Sequence, residues 1–219
     1  MKNFVITIKD NERSVKAAQR CIDSGKRFNK KIINFFSFTP KYGIEKLLQE
    51  KQIRDKNFRN SLYSREDNAI AAFCSHFTLW EHCVNINEPI TIFEHDAVIV
   101  NDYPDFIHYN LLINLGKPSY GEYRTPYSLG VNELYSKDYF GGAHAYQIKP
   151  AGAKLLITVA RKGQAGPTDI FLHKQRFRWL EEYYPWPVEV KDNFSTIQNE
   201  YGCLNKHGYN KEKYILEQV

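Results

Sequence analysis

The tripeptide Glu94-His95-Asp96 is the sharpest chemical signal in this chain of 219 residues. It follows a continuous apolar run, Ile90-Thr91-Ile92-Phe93, of the kind that forms a buried strand. In open α/β sheets, ligands gather outside the carboxyl ends of the strands. Two carboxylates one residue apart repel each other. A hard divalent cation relieves that repulsion and prefers oxygen ligands together with substrate phosphates. Mn2+ or Mg2+ bridging a diphosphate suits this pair. Spacing alone is equally compatible with two solvated acids at the surface end of a strand.

The elements that must carry this turn follow from periodicity and punctuation. Residues 3–8 read as an opening strand and residues 31–36 as a second. Ser14 is placed to cap the helix between them, and Gly25 to end it. Such a β-α-β opening favours a parallel sheet with a right-handed crossover. A helix is expected near 43–51. Ser64-Arg65-Glu66-Asp67 has the form of a capping-box start. Behind it Ile70, Phe73, Phe77, Trp80 and Val84 recur in steps of three and four, one inward stripe of a long helix. Residues 90–93 read as a central parallel strand and 111–115 as another. The Gly-, Tyr- and Pro-rich stretch 116–142 reads as long loops with short strands, a length that usually signals function or motion. Residues 143–149 alternate as a half-buried strand. Pro150 starts a helix to about 161, Thr168 caps a helix to about Tyr184, and 188–190 form a short strand. The whole reads as one domain over 1–200 with a polar, basic tail over 201–219.

Composition narrows the setting. Hydrophobic residues make up 42% of the chain, enough for a real core, and the net charge of +5 suits anionic ligands without arguing for nucleic acid by itself. Basic residues crowd 26–56, at Lys26, Arg27, Lys30, Lys31, Lys41, Lys46, Lys51, Arg54 and Lys56, which reads first as a solvated helical surface. Cys21, Cys74, Cys83 and Cys203 form no C-x-x-C pair. With no signal peptide they suggest free thiols in the cytoplasm. No apolar run reaches the length of a membrane span, so no integral membrane segment is expected. Zinc is disfavoured, because Cys74, His76, His82, Cys83 and His95 lack metal-ligand spacing on a helix. Asn193-Phe194-Ser195 matches a glycosylation acceptor, a tripeptide that arises often by chance.

Several segments, in order, resemble glycosyltransferase family 25, which includes lipooligosaccharide and collagen galactosyltransferases. They are Ala71-Ala72-Phe73-Cys74-Ser75-His76, Leu79-Trp80, and Ile92-Phe93-Glu94-His95-Asp96-Ala97. Asn114-Leu115-Gly116, Ala145-Tyr146-Gln147-Ile148 with Gly152-Ala153-Lys154-Leu155-Leu156, and Pro167-Thr168-Asp169 follow. The first strand and Arg13 also resemble the family's opening. The likeness spans roughly 3–200. One departure stands out: the middle acid of the family's Glu-Asp-Asp is His95 here.

The resemblance implies a GT-A type α/β fold, here expected as a mostly parallel, Rossmann-like central sheet flanked by helices. It also implies a UDP-sugar donor, a divalent metal (Mn2+ or Mg2+), and transfer of a hexose with inversion to a hydroxyl of a glycan or similar acceptor. Glu94 and Asp96 are the implied metal ligands, with His144, behind the Gly141-Gly142 pair, as a candidate third. Thr7, Ile8, Arg13, Ser75, His76, Glu94 and His95 are the candidate donor contacts. Asp169 is the candidate general base, held ionised by a helix N-terminus. Each has a plainer reading: His76 and His144 as packed residues, Arg13 as a surface charge, Asp169 as a helix cap. Two other functions stay in view. The basic 26–56 region and tail motivate glycosylation of modified DNA bases, and the His95 replacement motivates a non-catalytic nucleotide-sugar-binding module.

Overall fold

In the computed structural model, which describes residues 1–59, 65–119, 121–190 and 196–197, the chain opens as expected. β1 (Lys2–Thr7) and β2 (Ile32–Phe36) lie parallel, joined by α1 (Glu12–Lys26). Asn11, not Ser14, caps α1, its side chain accepting the Ser14 amide. Gly25 lies inside the last turn rather than after it. A Cβ there would sit 2.6 Å from the Ile32 side chain and 2.8 Å from the Lys30 carbonyl, so the glycine serves close packing.

β1 also pairs parallel with β3 (Ile90–Glu94), setting Ile6 beside Glu94. Beyond β3 the expected mostly parallel sheet gives way to a mixed one. The other strands are β5 (Leu112–Asn114), β6 (Gly130–Glu133), β7 (Ala145–Ile148) and β8 (Leu180–Tyr184), and the order is β2-β1-β3-β7-β5-β8-β6. β7 runs antiparallel to both β3 and β5, β8 parallel to β5, and β6 antiparallel to β8. A parallel neighbour needs a crossover element. Among the described residues, none between β3 and β7 is helical. The Rossmann-like parallel run is thus β2, β1 and β3, and β5 with β8 forms a second parallel pair on the far side of β7. β4 (Ala97–Ile99) and β9 (Val188–Val190) form a separate antiparallel ribbon that continues from the Glu94 turn.

The expected helix from Thr168 to Tyr184 is also corrected. α5 is a single turn, Thr168–Phe171, with Pro167 at its cap position and no side-chain cap. Leu180–Tyr184 is strand β8 instead. It has partners on both edges, and its Leu180 and Glu182 are buried while Glu181 is only half-buried. That is the period-two burial of a sheet, and nonlocal pairing overrides the local helical reading. β7, expected to be half-buried, is buried along its whole length because it lies in the middle of the sheet.

The remaining helices are α2 (Ile44–Lys51), α3 (Glu66–Ile86) and α4 (Pro150–Val159), the last with Pro150 in its first turn. The α3 cap position is Arg65, which makes no side-chain cap bond. Ser64 falls outside the described residues, as do Asn193-Phe194-Ser195 and the 201–219 tail. Two apolar clusters flank the sheet. One gathers Phe73, Phe77 and Trp80 of α3 with Ile92, Tyr146 and Phe171. The other gathers Ala18 and Cys21 of α1 with Val5, Phe93 and Ala145. Strand alternation therefore sends Ile92 and Phe93 to opposite faces.

Of the basic residues in 26–56, Lys30 and Lys51 are buried and paired, and the others are exposed, as a solvated surface requires. Lys30 is 8% exposed, donates to the Tyr103 carbonyl at 2.9 Å and pairs with Asp105. Lys51 pairs with Glu81 at 2.7 Å. Cys21, Cys74 and Cys83 are buried free thiols, and Cys203 lies outside the described residues. Among the described residues no helix is long and apolar enough to cross a membrane.

Candidate active site

The strand directions bring the carboxyl ends of β1, β3, β5 and β8 to one sheet edge, with the start of β7 between them. Glu94 is the last residue of β3, and its amide donates to the His144 carbonyl at 2.9 Å. The Glu94 side chain keeps 29% of its surface accessible, yet it sits deep among protein atoms. Burial first, and then the negative charge of Asp169, push its carboxyl up to about 8. His76 of α3 places Nε2 at 3.1 Å from Glu94 Oε1 and Nδ1 at 2.8 Å from the Tyr146 hydroxyl. Trp80 Nε1 donates to that same hydroxyl at 2.9 Å. His76 is 1% exposed, and burial pushes it down to about 3 against the opposing pull of Asp169. An imidazole so deeply desolvated is neutral at physiological pH.

Glu94, His76 and Asp169 are therefore brought within electrostatic reach of one another, although they come from β3, α3 and α5. Asp169 is half-buried, and its Oδ1 accepts the Ile170 amide at 2.9 Å. Its helix is one turn long, so no long helix dipole is available to hold it ionised. Asn57 fixes the segment before it by donating to the Ala165 carbonyl at 2.9 Å. A cleft of about 170 Å³, lined by Asn57, Gln164, Pro167, Ile170 and Arg176 among others, opens among the residues flanking Asp169 rather than at Glu94.

The next two residues turn toward α1 instead. Ser14 Oγ accepts the Ile8 amide at 2.9 Å and lies 3.1 Å from His95 Nδ1. The β1 loop, the first turn of α1 and the Glu94–Asp96 turn are thus latched together. Asp96 is felt at the Cys21 thiol of α1, whose pKa is raised mainly by burial and further by that carboxylate. Glu94 and Asp96 thereby engage different helices.

The other candidates separate clearly. Thr7 is buried, and its hydroxyl donates to Asn34 Oδ1 at 2.8 Å, tying β1 to β2. Ser75 is 0% exposed, donates to the Ala71 carbonyl at 2.9 Å and accepts the Phe38 amide at 3.0 Å. Both hydroxyls are engaged inside the fold and face no open space. Arg13 is exposed in the first turn of α1. His144 is 2% exposed, its ring fitted against Gly116 and Gly142, and burial pushes it down to about 4. A Cβ on Gly116 would lie 2.4 Å from His144 Nε2, and one on Gly142 would lie 2.9 Å from Nδ1.

Among the described residues no group of three or more His, Cys, Asp or Glu side chains is arranged to hold a metal. Glu94, Asp96 and His144 are therefore not a ready-made three-ligand cage. The oxygen donors that are present fit a partial site for a hard cation. Glu94 is an accessible carboxyl whose charged form is disfavoured by burial and by Asp169, conditions that a nearby cation reverses. Such cations usually take one or two protein carboxylates and complete their shell with phosphates and water.

Sequence reasoning places Trp80 on the inward stripe of the long helix and Tyr146 in a family-like segment, but gives neither a role at the site. His76 and Trp80 lie one turn apart on α3 and so share a face, which was readable. The hydroxyl they share comes from β7, across the core.

Among solved structures, one match is a Drosophila β-1,4-galactosyltransferase 7 mutant in complex with manganese, UDP-galactose and xylobiose. It is 12% identical with a TM-score of 0.40, over 100% of this chain and 76% of that one. No curated protein matches. The family model described as glycosyltransferase family 25 (LPS biosynthesis protein) matches residues 1–114, which contain β1 to β5, the Glu94-His95-Asp96 turn and His76. That match covers more than half of the chain, which therefore belongs to glycosyltransferase family 25.

Proposed function

We propose that the protein is a hexosyltransferase that moves a sugar, with inversion, from a UDP-sugar to a hydroxyl of a glycan acceptor. The observation that carries this reading is the placement of Glu94 at the carboxyl end of β3, accessible, held by His76 and faced by Asp169, in a family 25 chain. Glu94, with Asp96 from the same turn, would hold Mn2+ or Mg2+. That ion supplies charge neutralisation for the donor's diphosphate and for the UDP leaving group. The latch of Ile8, Ser14 and His95 would border the donor, and Arg13 is exposed in the same first turn of α1.

Asp169 acts as the general base. As the acceptor oxygen bonds to the anomeric carbon, the bond from that carbon to the phosphate oxygen breaks. The electron pair leaves with UDP, and the acceptor proton passes to the Asp169 carboxylate. The neutral His76 cannot compete as a cation for the diphosphate; it holds Glu94 instead. Tyr123, Tyr127 and Leu129 are exposed in the segment that leads into β6, at the same sheet edge, and offer apolar faces for a sugar. Three buried thiols suit a reducing, cytoplasmic setting.

The test is turnover of UDP-hexoses in Mn2+, scored as hydrolysis or transfer. Asp169→Asn should lower kcat about 10²–10⁴-fold, the usual span for a general base, while leaving UDP affinity near that of the wild type. Tight UDP-sugar binding with no turnover by the wild type would show a binding module instead.

A further inference from the structure

We propose that Trp80 and Tyr146 form a directed hydrogen-bond chain that locks His76 as the Nε2–H tautomer, making His76 the positioning residue for the Glu94 carboxylate. The direction follows from donor counting. An indole nitrogen only donates, so the Tyr146 oxygen accepts from Trp80 Nε1 at 2.9 Å. The Tyr146 proton then has His76 Nδ1 as its acceptor at 2.8 Å. With Nδ1 accepting, a neutral imidazole carries its proton on Nε2 and donates it to Glu94 Oε1 at 3.1 Å. The opposite tautomer leaves the Tyr146 proton without an acceptor in a residue that is 0% exposed.

The consequence is geometric. Glu94 Oε1 is held from the core side, and Oε2 has no protein partner among the described residues. The side chain is thus presented with one oxygen anchored and one available. The ring stack of His76 on Tyr146, with centroids 5.8 Å apart and planes 18° apart, restrains the imidazole further. Packing of Trp80 against Phe73 and Phe171 fixes the far end of the chain. All three side chains are buried, and they act on the site through Glu94. The catalytic consequence rests on the functional reading above, whereas the tautomer does not.

Two measurements on the full chain separate these. Long-range ¹H–¹⁵N spectra of the wild type report the tautomer directly. His76 should show a protonated Nε2 and an unprotonated Nδ1, and the reverse pattern overturns the proposal. In transfer assays His76→Leu should lower kcat or apparent Mn2+ affinity about 10–100-fold. His76→Gln, which keeps an N–H donor for Glu94, should recover most of that loss, with acceptor KM near wild type in both. Equal losses in the two variants, or none, overturn the positioning role. A wild type without turnover removes the functional reading, and the spectra then decide the hydrogen-bond chain by themselves.

Discussion

Tyr146→Phe is the most exacting test of how the core supports the site. The substitution keeps the ring, its packing against Phe140 and the β7 backbone, and removes one oxygen. That oxygen accepts from Trp80 and bonds His76, and Trp80 and Tyr146 are 0% exposed while His76 is 1% exposed. The variant strands an indole N–H and an imidazole nitrogen, each costing about 1–3 kcal/mol when buried without a partner. Apolar burial hardly changes, so the expected loss is about 2–6 kcal/mol. A domain of this size loses about 2–4 °C of Tm per kcal/mol, so the fall should be on the order of 10 °C. Urea unfolding followed by far-UV circular dichroism reads this out, with an unchanged m-value. A double-mutant cycle with Trp80→Phe should show coupling of about 1 kcal/mol or more, because the two changes remove one bond in common. A loss under about 0.5 kcal/mol for Tyr146→Phe would refute the buried chain.

The titration of the site predicts a stability optimum near pH 6.5 in protein stripped of divalent cations. His76 and His144 hold fewer protons folded than unfolded between their depressed values, about 3 and about 4, and 6.5. Their contribution is present above pH 6.5 and lost as pH falls toward those values. Glu94 holds one more proton folded than unfolded between 4.5 and about 8, so its contribution is present below pH 4.5 and lost as pH rises to 8. The alkaline limb should fall by about 1.4 kcal/mol per pH unit and flatten in Glu94→Gln or with Mn2+ and UDP added; denaturant titrations from pH 5 to 8 check this. Gly116→Ala should cost about 1–3 kcal/mol by overpacking, since its Cβ lies 2.4 Å from His144 Nε2. Most of that cost should vanish in a His144→Ala background, as measured by the same denaturant titrations.

What the sequence discloses is what local periodicity controls. The β1-α1-β2 opening follows from short Val-, Ile- and Phe-rich runs around an amphipathic helix, and α3 from its stripe of Phe73, Phe77 and Trp80. The Glu94 turn is legible because an apolar strand that ends in acids marks a sheet's carboxyl edge. β8 is hidden because Leu180-Glu181-Glu182-Tyr183-Tyr184 has no strong local preference. Its state is decided by β5 and β6, which arrive from elsewhere in the chain. The antiparallel insertion of β7 is hidden for the same reason. Thr7 and Ser75 are donor-contact candidates by their places in the family-like segments, but their hydroxyls have internal partners that only packing reveals. The buried chain from Trp80 to Glu94 joins α3, β7 and β3, three elements that no short-range pattern relates.

The most direct measurement is a crystal structure of the protein soaked with a UDP-sugar and Mn2+. The account predicts metal density against Glu94 Oε2, with the diphosphate between the Glu94–Asp96 turn and the first turn of α1 and the sugar facing Asp169. Donor and metal bound elsewhere on the molecule, with Glu94 still held only by His76, would contradict it.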